Sequence, residues 1–181
     1  MLDSEMVERL NSQINLELQS SNLYLQMSCW CAFKSLDGCA AFLAQHAEEE
    51  RIHMQKLITY LNETGALVEL TAIPAPTARY DSLQALFEQV LEHEQHVTDA
   101  INKLVHQAHQ TPDYATYQFL QWYVAEQHQE EFLFKSVLDK IKLIGTDHQG
   151  IFFIDKEIGA LATPAAAGIG VADPTAAAAA Q

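Results

Sequence analysis

In four long stretches of this chain, apolar side chains recur at alternating spacings of three and four, and each run is broken near its middle by a polar or charged residue. Spacings of three and four put side chains on one face of an α-helix. Four such faces bury one another in a bundle, so the interruptions would lie inside it. The first seam runs Val7, Leu10, Ile14, Glu17, Ser21, Tyr24, Ser28, Cys31; the second Cys39, Leu43, His46, Glu50, His53, Leu57, Tyr60, Thr64. The third runs Leu83, Phe87, Val90, Glu94, Val97, Ile101, Leu104, Ala108, and the fourth Thr116, Leu120, Tyr123, Gln127, Glu130, Phe134, Val137, Ile141.

Start and stop chemistry brackets each stretch. Ser4 can cap a first helix that reaches about Phe33, and a second follows Asp37-Gly38 and ends near Thr64, where Gly65 can take the left-handed position. A third starts at Asp81-Ser82 and reaches about His109. Thr111-Pro112-Asp113 opens a fourth that stops near Gly145, and Ile151 to Leu161 makes a short fifth. Residues 66 to 80 carry Pro74, Pro76 and Arg79 without a period. Such a segment spans up to about 50 Å when extended, enough to travel the length of a helix of about 40 Å. The fold expected is therefore all-α: a four-helix bundle of two antiparallel hairpins joined by one long crossover, plus a short fifth helix. The ordered domain covers 1–161, and 162–181 is an Ala-rich low-complexity tail.

Composition excludes several classes. Acidic residues outnumber basic ones 24 to 10, a net charge of −14 that repels phosphate backbones and anionic lipid, so neither nucleic acid nor membrane is an expected partner. The acidic start lacks the pattern of a secretion signal and no 18-residue apolar run exists, which points to the cytoplasm. Cys29, Cys31 and Cys39 form no Cys-x-x-Cys pair and read as reduced thiols, the first two packing on a helix face.

The interruptions agree in height as well as face. Glu17, Glu94 and Gln127 lie 12 to 14 residues beyond Ser4, Ser82 and Asp113, and His53 lies 11 before Thr64. In an antiparallel bundle these positions meet at one level. Four carboxylates, Glu17, Glu50, Glu94 and Glu130, would converge with no Lys or Arg on any seam, and each buried uncompensated ion costs several kcal/mol. Protonation relieves this, because clustered carboxylates raise one another's pKa. Two divalent cations also relieve it, balancing four negative charges with four positive. Oxygen ligands with one imidazole suit iron, manganese or zinc, and iron best. Glu50 and His53, three apart on one helix, can give two ligands to a metal pair.

Asn15-Leu16-Glu17-Leu18 with Tyr24, His46-Ala47-Glu48-Glu49-Glu50 leading to His53-Met54-Gln55, His93-Glu94-Gln95, and Phe119 to Val124 with Glu126-Gln127-His128 form a set of specific segments. Through them, residues 1 to about 161 resemble a bacterial non-haem ferritin. It implies a ferritin-like di-iron site in which Glu17, Glu50 and His53 hold one iron and Glu50, Glu94 and Glu130 the other, Glu50 bridging. The chain departs from the two-Glu, two-Glu-x-x-His arrangement known for ferritin-like di-iron proteins in the fourth helix, where Gln127-x-x-Glu130 stands. Gln127 would lie beside the pair as an uncharged neighbour. Haem-containing bacterioferritins keep the second Glu-x-x-His and place the haem methionine where this chain has Arg51, so no haem is expected.

The resemblance also implies a third iron site at Glu49, Glu126 and Glu130, whose remaining position, usually a glutamate, is Gln129 here. One formal charge fewer weakens cation binding. Tyr24 matches the tyrosine beside ferritin di-iron centres, an electron or hydrogen-bond donor during oxygen reduction; as a core phenol it would need only a partner. Trp122 is expected to pack, and His46 to support the ligands from one turn away. His93, His96, His106, His109 and His128 are expected at the surface or an interface.

The function implied is iron storage with ferroxidase activity: Fe(II) and O2 react at the intrasubunit centre, and Fe(III) mineral collects inside a hollow homo-oligomeric shell of two dozen subunits. The short fifth helix would pack around the fourfold axes. Two alternatives stand beside it, a rubrerythrin-like di-iron oxidase or peroxidase without a storage role, and a structural bundle whose polar layer is protonated and metal-free.

Overall fold

The computed structural model describes residues 2–145 and 147–162. Five helices are seen among them: α1 (Ser4–Phe33), α2 (Asp37–Glu63), α3 (Leu83–Gln110), α4 (Tyr114–Ile144) and α5 (His148–Gly159). The Ala-rich tail lies outside the described residues from 163 onward.

Four of the five helices start at a short polar side chain, though not always the one the sequence suggests. The Asp3 carboxylate, not Ser4, accepts the Met6 amide at 2.7 Å, and Ser82 Oγ accepts that of Ala85 at 3.0 Å. Thr111 closes α3, while Asp113 opens α4 by accepting from Thr116 at 3.1 Å. Asp147 caps α5 through Gly150 at 2.7 Å, so that helix begins earlier than Ile151. α2 has no side-chain cap of its own at Leu36. Asp155 of α5 supplies one from across the chain, accepting from the amides of Gly38 at 3.2 Å and Cys39 at 2.8 Å. This contact needs glycine on both helices: a Cβ at Gly159 would sit 2.8 Å from the Gly38 Cα.

α1 packs on α2 and α3, α3 on α4, and α5 on α2 and α4. The crossover between α2 and α3 is laced along α1. Asn11 donates to Leu67 O at 3.0 Å and accepts from Glu69 N at 2.8 Å; Asn15 donates to Glu69 O at 2.8 Å and accepts from Thr71 N at 2.7 Å. Further on, Tyr80 meets Trp30 edge to face at 5.5 Å. From Asn11 to Trp30 is about 28 Å of helix at 1.5 Å per residue, so the segment runs most of the bundle's length, as expected.

Of the four predicted seams, every residue but Val7, Tyr60 and Thr64 is buried, and Met6 and Leu61 take the places beside the missed ends. The apolar interior is nevertheless two cores. One gathers Met27, Trp30, Phe42, Phe87, Phe134 and Ile141; the other gathers Leu10, Ile14, Leu57, Ile101, Leu104 and Leu120. Between them lies a layer of buried polar side chains.

Candidate metal centre

The layer draws on all four long helices. α1 contributes Glu17, α2 His46, Glu50 and His53, α3 Glu94, and α4 Gln127 and Glu130, all of them buried. His53 Nδ1 lies 3.3 Å from Glu50 Oε2 and 4.0 Å from Glu17 Oε2, and one ligand atom from each of Glu17, Glu50 and His53 lies within 4.8 Å of the others. One turn of α2 thus presents a carboxylate and an imidazole to a carboxylate on α1.

Glu94 is held differently. It accepts from the Tyr24 hydroxyl and from the Gln127 amide, whose Nε2 also donates to the Glu94 backbone carbonyl at 3.1 Å. Gln127 is therefore a clamp on Glu94, and Tyr24 is a hydrogen-bond donor. Glu130 turns toward His46, with Oε2 3.5 Å from Nδ1, and His46 Nδ1 lies 3.0 Å from Glu49 Oε2. A ligand atom from each of His46, Glu49 and Glu130 also lies within 4.8 Å of the others.

Glu126 is not in that second group; half-exposed, it brings Oε1 to 3.9 Å from His53 Nε2. Gln129 is exposed on the rim of a pocket shared with Glu49, Glu126 and Glu130.

The electrostatics follow from burial. Burial and then the Glu50 charge hold the Glu17 carboxyl well above the usual range. Burial does the same to Glu50, where the charges of Glu94, Glu130 and Glu49 add to it. Glu94 is raised by burial although the Tyr24 and Gln127 bonds pull it down. Glu130 is pushed up to about 8 by burial, then by Glu94, Glu49 and Glu126. Glu49 differs: the His46 imidazole beside it and the bond donated by Gln45 outweigh its partial burial and hold it low. Burial lowers His53, favouring the neutral imidazole that can bind a cation.

Five buried side-chain polar atoms among the described residues lack a hydrogen-bond partner, and four belong to this layer: Glu17 Oε2, His46 Nδ1, Tyr123 Oη and Glu130 Oε2. Buried oxygens and nitrogens are normally paired. Carboxylate lone pairs without donors, in a region with raised carboxyl pKa values, are a donor set suited to a cation of the iron, manganese or zinc type.

Some neighbours were not legible. Gln13 donates to Glu17 Oε1 at 2.5 Å from one turn away, beside the seam and not on it. His93, expected at the surface or an interface, is half-buried, with Nε2 2.7 Å from Ser20 Oγ and its ring edge-on to Tyr24 at 5.9 Å. Burial, then His96, lowers His93 to about 4. His96, His106, His109 and His128 are exposed as expected, but so is Cys29, which does not pack. Trp122 does pack, stacked on Tyr123 at 4.5 Å under the Lys56 ammonium at 4.1 Å. No helix among the described residues is long and apolar enough to cross a membrane.

Comparison with known proteins gives one answer. The ferritin-like domain model matches residues 7–144. The bacterial non-heme ferritin of Escherichia coli is 52% identical over 163 residues, 90% of this chain and 99% of that protein. That of Staphylococcus aureus is 38% identical over 160 residues, covering 88% and 96%. Among solved structures, an open pore ferritin from the archaeon Archaeoglobus fulgidus superposes with a TM-score of 0.85 at 42% identity, covering 88% of this chain and 98% of that one. Chlorobium tepidum ferritin gives 0.79 at 47% identity, covering 87% and 97%. With the layer of carboxylates between two apolar cores, these likenesses show that the chain belongs to the ferritin family.

Proposed function

We propose that this protein stores iron and oxidises it on the way in, a ferroxidase taking Fe(II) and O2 at an intrasubunit centre and keeping Fe(III) mineral inside a hollow shell of two dozen identical subunits in the cytoplasm. The observation that carries the reading is the buried layer in which Glu17, Glu50, Glu94 and Glu130 face one another without a Lys or Arg among them.

In this reading Glu17, Glu50 and His53 bind one Fe(II), and Glu50 with Glu94 and Glu130 binds the second. Glu50 is central because its carboxylate feels both His53 on its own helix and the charges of Glu94 and Glu130. Fe(II) displaces protons from raised carboxyls as it arrives, so proton release accompanies loading. Two adjacent ferrous ions supply two electrons together to O2, and the oxygen ligands favour the ferric product. Tyr24 and Gln127 orient Glu94 by two donated bonds, and Gln13 orients Glu17. The Tyr24 hydroxyl, bonded to Glu94, would also serve as an electron donor during oxygen reduction. Glu49, Glu126 and Glu130, with Gln129 on the rim, form the route for a third ion, weakened by the missing carboxylate.

Assembly is supported by large apolar side chains left exposed on the single chain, including Phe33, Phe132, Phe152 and Phe153. The charge of −14 makes the surfaces of such a shell attract cations. Aerobic addition of Fe(II) to the metal-free protein, followed by sedimentation, tests the proposal. Oxidation faster than in buffer, with iron sedimenting in a particle far larger than the 20.2 kDa chain, is the expected result. Oxidation without retained iron would favour the rubrerythrin-like reading. No acceleration at all would leave a structural bundle.

A further inference from the structure

α1 and α3 run antiparallel: Ser20 meets His93 beside the carboxylate layer, while Arg9 and Lys103, further out on the same two helices, line one pocket. That pocket is an open groove of about 400 Å³ between α1 and α3. His96, Ala100 and Lys103 follow one another on one face of α3 at spacings of four and three, and Ala100, with only a methyl group, leaves the groove open between two long side chains. None of the described residues in its wall is acidic, in a chain where acids outnumber Lys and Arg 24 to 10. Arg9 and Lys103 also border a neighbouring groove, but that one holds Glu5 and Asp99. An anion is repelled there and drawn to the first.

The donors of the acid-free groove are uncommitted. Glu5 occupies Arg9 Nε and Nη2 at 3.2 and 2.9 Å and leaves Nη1 to spare. Lys103, His96 and Gln19 make no hydrogen bond or ion pair among the described residues. Beneath them Leu16 and Leu104 bring apolar surface from the core they pack in. Buried Gln13, which donates to Glu17 at 2.5 Å, closes the groove off from the metal layer. An apolar floor under separated cationic and amide donors fits a carbon skeleton bearing several anionic groups. Water takes about 30 Å³, so the groove has room for roughly a dozen such groups, far more than a bare inorganic ion fills.

We propose that the α1–α3 groove binds a small organic anion carrying two or more carboxylate or phosphate groups. Arg9 Nη1, Lys103 Nζ and His96 hold its charges, and Leu16 and Leu104 carry its carbon skeleton. This site is separate from the iron chemistry and does not depend on it.

Citrate, with three carboxylates, is the probe, titrated calorimetrically into the metal-free protein at fixed pH, with inorganic phosphate in a parallel titration. The expected result is one citrate per chain with a dissociation constant below about 1 mM, at least tenfold tighter than phosphate. Affinity should fall as salt is raised, because the partners are exposed charges. Lys103→Glu should weaken citrate at least tenfold and His96→Gln several-fold, whereas Asp99→Asn, in the neighbouring groove, should not weaken it. Zn(II) binding by the carboxylate layer, measured without citrate, should be the same in Lys103→Glu as in the parent, which verifies the variant's fold. Lys103→Gln, neutral and of similar length, carries the test should Lys103→Glu misfold. A crystal of the citrate complex should show carboxylate oxygens about 2.7–2.9 Å from Lys103 Nζ and Arg9 Nη1. Citrate that binds no tighter than phosphate, that keeps its affinity in the Lys103 variants, or that does not bind at all overturns the proposal.

Discussion

Glu130→Gln should stabilise the metal-free protein at neutral pH and weaken its hold on iron. Glu130 is pushed from the ordinary 4.5 to about 8, first by burial and then by Glu94, Glu49 and Glu126. A folded-state pKa above the unfolded value leaves stability intact below about pH 4.5 and removes it as pH rises toward 8, because only the unfolded chain ionises freely. At pH 7.5 the difference of about 3 pKa units corresponds to roughly 4 kcal/mol, and at pH 5 to less than about 1 kcal/mol. Glutamine, which never ionises, escapes this penalty. The stability of Glu130→Gln relative to the parent should therefore improve by about 3 kcal/mol between pH 5 and pH 7.5. Denaturant unfolding of both metal-free proteins at the two pH values, followed by circular dichroism, measures it. Saturating Zn(II) should reverse the order at pH 7.5, since the parent then uses the carboxylate as a ligand. A stability difference that stays constant between the two pH values would refute the reasoning.

Other substitutions probe the supports. Tyr24→Phe removes a donor to Glu94 and should cost about 1.5–3 kcal/mol of stability; stopped-flow oxidation of Fe(II) should slow, and an unchanged rate would leave Tyr24 a packing residue. Gln129→Glu adds a carboxylate at the rim of the third-ion route and should tighten the third ion and slow release of ferric product; unchanged stoichiometry and kinetics would remove that idea. Asp155→Ala uncaps α2 from α5 and should lower stability by about 1 kcal/mol, read by thermal denaturation, without altering metal binding.

The bundle was legible because its period is set by backbone geometry, which no neighbour can override over thirty residues. The four seams predicted burial for nearly all their members and placed Glu17, His53, Glu94 and Gln127 at one level. What escaped reading depends on side-chain direction. Asp3 and Ser4 are equally able to cap, and only the chain's path selects Asp3. Asp155 caps a helix more than a hundred residues away, a contact no local pattern encodes. Gln13 and Ser20 sit one position off the seam walk, yet both are buried and bond to the layer or its neighbours. Glu126 shares the helix and charge of Glu130 but lies on a more exposed face, so it meets His53 and leaves the second group to His46, Glu49 and Glu130.

Anomalous diffraction at the iron edge from crystals soaked in Fe(II) bears most directly on the whole account. Two peaks per subunit are expected in the layer between the two apolar cores, one bonded to Glu17, Glu50 and His53 and one to Glu50, Glu94 and Glu130. A layer without iron, its carboxyls protonated and bonded only to one another, would contradict it.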